Sequence, residues 1–146
     1  MSNYDDLSGR GGLVPSGRWH NRGRSVVYCS ESLRVARIEI EQGLGLPDYL
    51  WPDSFKLLCV EAPASVKIED LAASDLPADW KENVLVTRRL GDAWLRANTA
   101  PLLRVPSARA DGWNYLINPA HRYADFLTIR SVYDLEAVRS GVIDEV

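Results

Sequence analysis

The chain has 146 residues, 46% of them hydrophobic and 25% charged, which suits one domain (residues 1–146) with a proper core. A net charge of −3 and a pI near 5.4 argue against a general nucleic-acid binder or a membrane-surface protein. No run of about 18 apolar residues is present, and the first residues lack the apolar centre of a secretion signal, so a cytoplasmic location is expected.

Residues 1–16 are polar and glycine-rich, with Ser8-Gly9-Arg10-Gly11-Gly12 at their centre, and read as loop. No Gly-Lys-Ser/Thr follows, so this is not a P-loop. Arg10, Arg18, Arg22 and Arg24 crowd into an otherwise acidic protein. Guanidinium forks grip phosphates bidentately, although a solvated basic loop has the same composition. Ser25 to Ser30 alternates and reads as a strand.

Next comes a helix from Leu33, capped by Ser32 and ending near Gly43. Projected at about 100° per residue, Arg34, Arg37 and Glu41 share a solvent stripe. Leu33, Val35, Ala36, Ile38 and Ile40 cover most of the remainder, and Glu39 falls in the middle of that apolar face. A buried carboxylate costs several kcal/mol unless paired or hydrogen-bonded. Glu39 therefore either has a structural partner, such as an arginine, or lines a cavity.

Beyond it, Gly45 to Ser54 is turn-like, Phe55 to Glu61 reads as a buried strand, and Val66 to Glu69 as a short one. Glu82 to Asn98 is predicted as a second helix whose stripe Val86, Leu90, Ala93, Trp94 and Ala97 packs into the core. Strands follow at Leu102 to Val105, Tyr115 to Ile117 and Phe126 to Val132, and residues 139–146 read as a loose tail. The expected class is α+β, with a predominantly β core and flanking helices. Cys29 and Cys59 lie in strand-like runs and are expected as buried reduced thiols. With His20 and His121 the only histidines, and no CxxC or HExxH, no metal site is expected.

Several phrases recur in a family-like order: Asp6-Leu7-Ser8-Gly9, Gly17-Arg18-Trp19-His20, Val26 to Ser32, the helix with Glu39, Val105-Pro106-Ser107, and Asn114-Tyr115-Leu116-Ile117-Asn118-Pro119-Ala120-His121. In order and spacing the chain resembles the RES domain family, toxins of RES–Xre type toxin–antitoxin pairs. The resemblance implies a fold similar to the ADP-ribosyltransferase toxins and an enzyme that degrades NAD as substrate, without a further cofactor. It also implies an Xre-type helix-turn-helix antitoxin partner, contact with DNA only through that antitoxin, and a homodimer within the complex.

Cleaving the nicotinamide–ribose bond passes through an oxocarbenium-like state. It requires a cation for the diphosphate, an aromatic face for nicotinamide and a carboxylate where positive charge develops. Arg18, Tyr28 and Glu39 fit these roles in turn, and Ser107 fits as a hydrogen-bonding partner for the ribose or amide. The competing structural roles are an Arg18–Glu39 ion pair, a core tyrosine at Tyr28 and a turn cap at Asn118. Ser107 lacks the GxSxG setting of a hydrolase nucleophile. The acceptor is water or phosphate, or a protein in an ADP-ribosyltransferase; a catalytically inactive binding module is the remaining alternative. Members of the family usually carry an aromatic–Arg pair on a first strand, where this chain has only Met1 to Asp5; either its action on NAD is weakened or lost, or Arg10, Arg22 or Arg24 stands in, or the gene start is truncated. They also carry proline where this chain has Arg122.

Overall fold

The computed structural model describes residues 6–10, 13, 15–141 and 143. Residues 1–5, which stand where the family's first strand was expected, lie outside this set. The elements run β1 (Val27–Ser30), α1 (Leu33–Leu44), β2 (Lys56–Glu61), β3 (Ile68–Asp70), α2 (Val84–Ala97), β4 (Leu102–Pro106), β5 (Trp113–Ile117), β6 (Thr128–Asp134) and α3 (Leu135–Arg139). Four strands form one sheet in the order β1-β5-β4-β3, and β2 pairs with β6 in a second. The expected α+β class is thus observed.

Strand alternation divides the larger sheet into two faces. Leu103, Val105 and Leu116 join Trp19, Val26, Trp80, Trp94 and Leu95 in the main core on one side. Their neighbours Leu102 and Ile117 point the other way and pack with Val66 and Leu127. A third cluster, Trp51, Leu57, Leu135 and Val138, lies against the two-stranded sheet.

Helix α1 starts as its sequence dictates, with the Ser32 side chain accepting from the Val35 N–H at 3.2 Å. It ends two residues later than predicted, at Gly45, whose φ of 67° suits glycine. Gly43 is inside the helix, where its missing side chain makes room for the Arg109 guanidinium.

The expected core stripe of α2 is rotated. Trp94 is buried, Val86 and Leu90 are half-buried, and Ala93 and Ala97 are exposed, while Thr87, Gly91, Asp92 and Leu95 are buried. The cause is the loop before β1, which lies across the helix. Thr87 Oγ1 donates to the Arg18 carbonyl at 2.6 Å and Arg88 Nε to the Gly17 carbonyl at 2.7 Å. Asp92 accepts from the Asn21 backbone N–H and side-chain amide. These polar contacts turn a hydrophilic face inward, against the hydropathy pattern.

Strand β2 is less buried than predicted, with only Leu57 fully enclosed, because its sheet has just two strands. Cys29 and Cys59 are half-buried free thiols rather than fully buried ones. The predicted loose tail, residues 139–146, overlaps α3 only at Arg139. Leu135 and Val138 of α3 are 2% exposed, and Arg139 donates to the carbonyls of Asp48 and Trp51. Among the described residues no helix is long and apolar enough to cross a membrane.

A methyl group at Gly91 would overlap the Trp19 carbonyl oxygen. Gly91→Ala is therefore expected to destabilise the fold by about 1–3 kcal/mol, although alanine is the better helix former by about 1 kcal/mol. Denaturant unfolding measures the difference; an increase in stability would refute this packing.

Candidate active site

Residues from α1, β1, β5 and the β4–β5 connection meet at Glu39. Ser107 Oγ donates to Glu39 Oε1 at 2.5 Å and Asn114 Nδ2 donates to the same oxygen at 2.8 Å. Both donors have fixed directions. Ser107 Oγ accepts from the backbone N–H groups of Arg109 (3.1 Å) and Ala110 (2.9 Å), so its single proton is directed to the carboxylate. Asn114 Oδ1 accepts from Ser30 Oγ at 2.8 Å, which turns the NH₂ end toward Glu39.

The second carboxylate oxygen, Oε2, receives no hydrogen bond from the described residues. Arg109 Nε stands 3.9 Å from it, and another nitrogen of that guanidinium donates to the Glu39 carbonyl at 2.9 Å. The Glu39 side chain is 25% exposed. One oxygen is thus saturated by the fold, while the other is cation-flanked and partly open to solvent.

Tyr28 and Ser30 lie on the same face of β1, opposite Leu116 and Asn114 of β5. Trp19 N–H donates to the Tyr28 hydroxyl at 3.1 Å, and the hydroxyl lies 2.7 Å from His20 Nδ1. The hydroxyl oxygen thus links the Trp19 backbone to the His20 ring. Burial pushes the phenol well above its ordinary pKa despite the opposing Trp19 bond. The residue as a whole is nevertheless 40% exposed. The hydroxyl end is enclosed and anchored, and the ring presents accessible surface, so Tyr28 is not an ordinary core tyrosine.

Arg18 does not form the competing ion pair with Glu39. Its guanidinium donates to the Lys81 carbonyl at 2.8 Å. Burial lowers its pKa, and the neighbouring Arg109 lowers it further, while Glu39 and Glu82 oppose the shift. Arg18, Arg109 and Glu39 therefore share one electrostatic field. Asn118 caps a turn, as its structural reading expects: its side-chain oxygen accepts from the Ala120 N–H at 3.1 Å. Among the described residues no group of three His, Cys, Asp or Glu side chains is arranged to hold a metal.

The four residues singled out in the sequence, Arg18, Tyr28, Glu39 and Ser107, thus sit in or beside one site. Arg109, Asn114 and Ser30 were missed. Asn114 and Ser30 carried a signal, since each is a polar residue on the inward face of a strand. Arg109 carried none: it lies in a connection, and only Gly43, far away in sequence, leaves space for it.

The RES domain model matches residues 2–137. The chain is 40% identical over 131 residues to "Toxin Res" of Pseudomonas putida, covering 89% of each protein. It is 32% identical over 151 aligned positions to the "Prs ADP-ribosylating toxin" of a Sphingobium species, covering 94% of this chain and 89% of that one. A solved chain of the M. tuberculosis MbcT–MbcA toxin–antitoxin complex superposes with a TM-score of 0.73 at 17% identity, over 94% of this chain and 84% of that chain. On the family match and the identity to its relatives, this chain belongs to the RES domain family.

Proposed function

We propose that this chain is a toxin that degrades NAD by cleaving the nicotinamide–ribose bond, with water or phosphate as acceptor. The observation that carries the reading is the division of labour at Glu39. Oε1 is held by Ser107 and Asn114, and Oε2 is left for a ligand. A fixed carboxylate stabilises the oxocarbenium-like charge at the ribosyl carbon and accepts from a ribose hydroxyl. Because its carbon and oxygen positions are set before substrate arrives, no reorganisation is needed at the moment of bond cleavage.

Arg18 acts as the diphosphate clamp, and Arg109 supplies a second cation, the role expected of Arg10, Arg22 or Arg24. The exposed ring of Tyr28 packs the nicotinamide. Ser107 acts mainly through Glu39 rather than on the substrate. The RES family and the relatives named as toxins support a toxin, and the toxin–antitoxin neighbour supports an antitoxin partner, for which the Xre type is our reading. ADP-ribosyl transfer to a protein is the second reading, favoured by the name of the Sphingobium relative. Incubating pure protein with NAD separates the two. Nicotinamide release without any protein acceptor supports degradation, whereas release only with a labelled acceptor protein supports transfer. No release under either condition would favour an inactive binding module.

Glu39→Gln keeps the volume and an accepting oxygen, so the fold is expected to survive while nicotinamide release falls by about 100-fold or more. Equal turnover by mutant and wild type would sink the assignment. Arg18→Lys keeps the charge but loses the fork. Its KM for NAD should rise about tenfold to a hundredfold, the equivalent of one charged hydrogen bond, with a smaller change in kcat; an unchanged KM would remove Arg18 from the clamp. Ser107→Ala leaves the Arg109 and Ala110 N–H groups without their acceptor. It should cost about 1–3 kcal/mol of stability in chemical unfolding as well as activity; full stability would mean that the connection does not depend on this hydroxyl.

A further inference from the structure

We propose that a cavity at the far end of the four-stranded sheet from Glu39 binds a small phosphate-bearing ligand. The cavity measures about 410 Å³ and is lined by Lys67, Asn98, Thr99, His121, Arg122 and Tyr123, among others. That volume lies within the usual range for small-molecule sites, roughly 300–1,000 Å³. Its lining lies where β4 starts and β5 ends, while Ser107 and Asn114 lie at the opposite ends of those strands. Five residues of strand at about 3.3 Å each separate the two sites by roughly 17 Å.

The hydrogen-bonding character of the lining is one-sided. His121 Nδ1 accepts from the Tyr123 N–H at 3.0 Å, so in this arrangement the ring proton is on Nε2. The Asn98 side-chain oxygen accepts from Asn118 Nδ2 at 3.0 Å, which leaves the NH₂ end of Asn98 as a donor. Lys67 and Arg122 have only donors to give. No carboxylate lines the cavity. Glu69, outside the lining, accepts from Thr99 Oγ1 and lies 3.8 Å from Lys67 Nζ. Four donor groups, a lysine and an arginine among them, therefore line a space without a lining carboxylate, in a chain whose net charge is −3. Such a lining selects an anion with several acceptor oxygens.

The donors are also held in place. Asn118 N–H bonds to the Pro101 carbonyl at 2.9 Å, and His121 N–H to the Asn118 carbonyl at 3.1 Å. Asn98 sits in the left-handed region at φ 54°, its N–H bonded to the Trp94 carbonyl. At the rim, Tyr123 and Phe126 stack with centroids 5.8 Å apart and are 43% and 57% exposed. The Arg122 guanidinium carbon lies 4.5 Å from the Tyr123 ring centre. An exposed aromatic step beside a cationic cavity suits a phosphate carried on a flat ring, as in a nucleoside monophosphate. The inference does not depend on the proposed NAD chemistry.

The chain's two histidines make the test direct, because His20 sits at the Tyr28 end and His121 in the cavity. Inorganic phosphate and AMP are each titrated into the full chain while the imidazole ¹H–¹⁵N signals are followed. Saturable movement of the His121 signals with those of His20 unchanged is the expected result. Tighter binding of AMP than of phosphate would identify the aromatic step as part of the site, and equal binding would confine the site to the phosphate. The paired variant Lys67→Gln, Arg122→Gln removes both cations at exposed positions, and should weaken binding at least tenfold while leaving the far-ultraviolet circular dichroism unchanged. Neither probe moving His121, movement of His20 alone, or an undiminished response in the folded paired variant would overturn the proposal.

Discussion

The carboxylate of Glu39 joins parts of the chain that are distant in sequence. Its helix begins at residue 33, its hydroxyl donor is residue 107, and its amide donor is residue 114 on a neighbouring strand. A partly buried carboxylate is tolerated because donors replace the water it loses. Those donors are fixed in turn, by two backbone N–H groups behind Ser107 and by Ser30 behind Asn114. Breaking one member leaves others unsatisfied, so the network ties the angle of α1 to the sheet as firmly as it aims the carboxylate. The structural partners that the sequence called for at Glu39 are a hydroxyl and an amide, Ser107 and Asn114.

A second constraint sets the other half of the site. The loop from Gly17 to Asn21 carries Arg18 and, through Trp19 and His20, holds the Tyr28 hydroxyl. It is itself gripped by Thr87, Arg88 and Asp92 of α2. Gly91 permits the close approach of backbone to helix that these bonds require. The loop is thereby held along its backbone, with its Trp19 N–H on the Tyr28 hydroxyl and the Arg18 guanidinium on the Lys81 carbonyl. A cation, an aromatic surface and an aimed carboxylate thus come from three separately anchored segments.

Local signals were enough for most of the elements and for several site residues. The Ser32 cap, the glycine signal after α1, the strand alternation around Tyr28 and the turn at Asn118-Pro119 each depend on neighbours a few residues away. Such signals survive in the linear chain. Glu39 was visible for the same reason, as a charge at the wrong position of a helical period, and the RES-like phrases added Arg18, Tyr28 and Ser107. Tertiary contacts decided the rest. The inward face of α2 is polar because a loop some 70 residues earlier in the chain satisfies Thr87 and Asp92, a pairing that no hydropathy stripe contains. Arg109, not Arg18, stands beside the Glu39 carboxylate, because Gly43 clears the space and the β4–β5 connection returns the chain there. Leu135 and Val138 of α3 are buried because Trp51 and Leu57 offer them a surface. Periodicity and capping are properties of neighbouring residues, so the sequence alone determined them; which partner satisfies a buried charge depends on the path of the whole chain, and only the folded structure decided that.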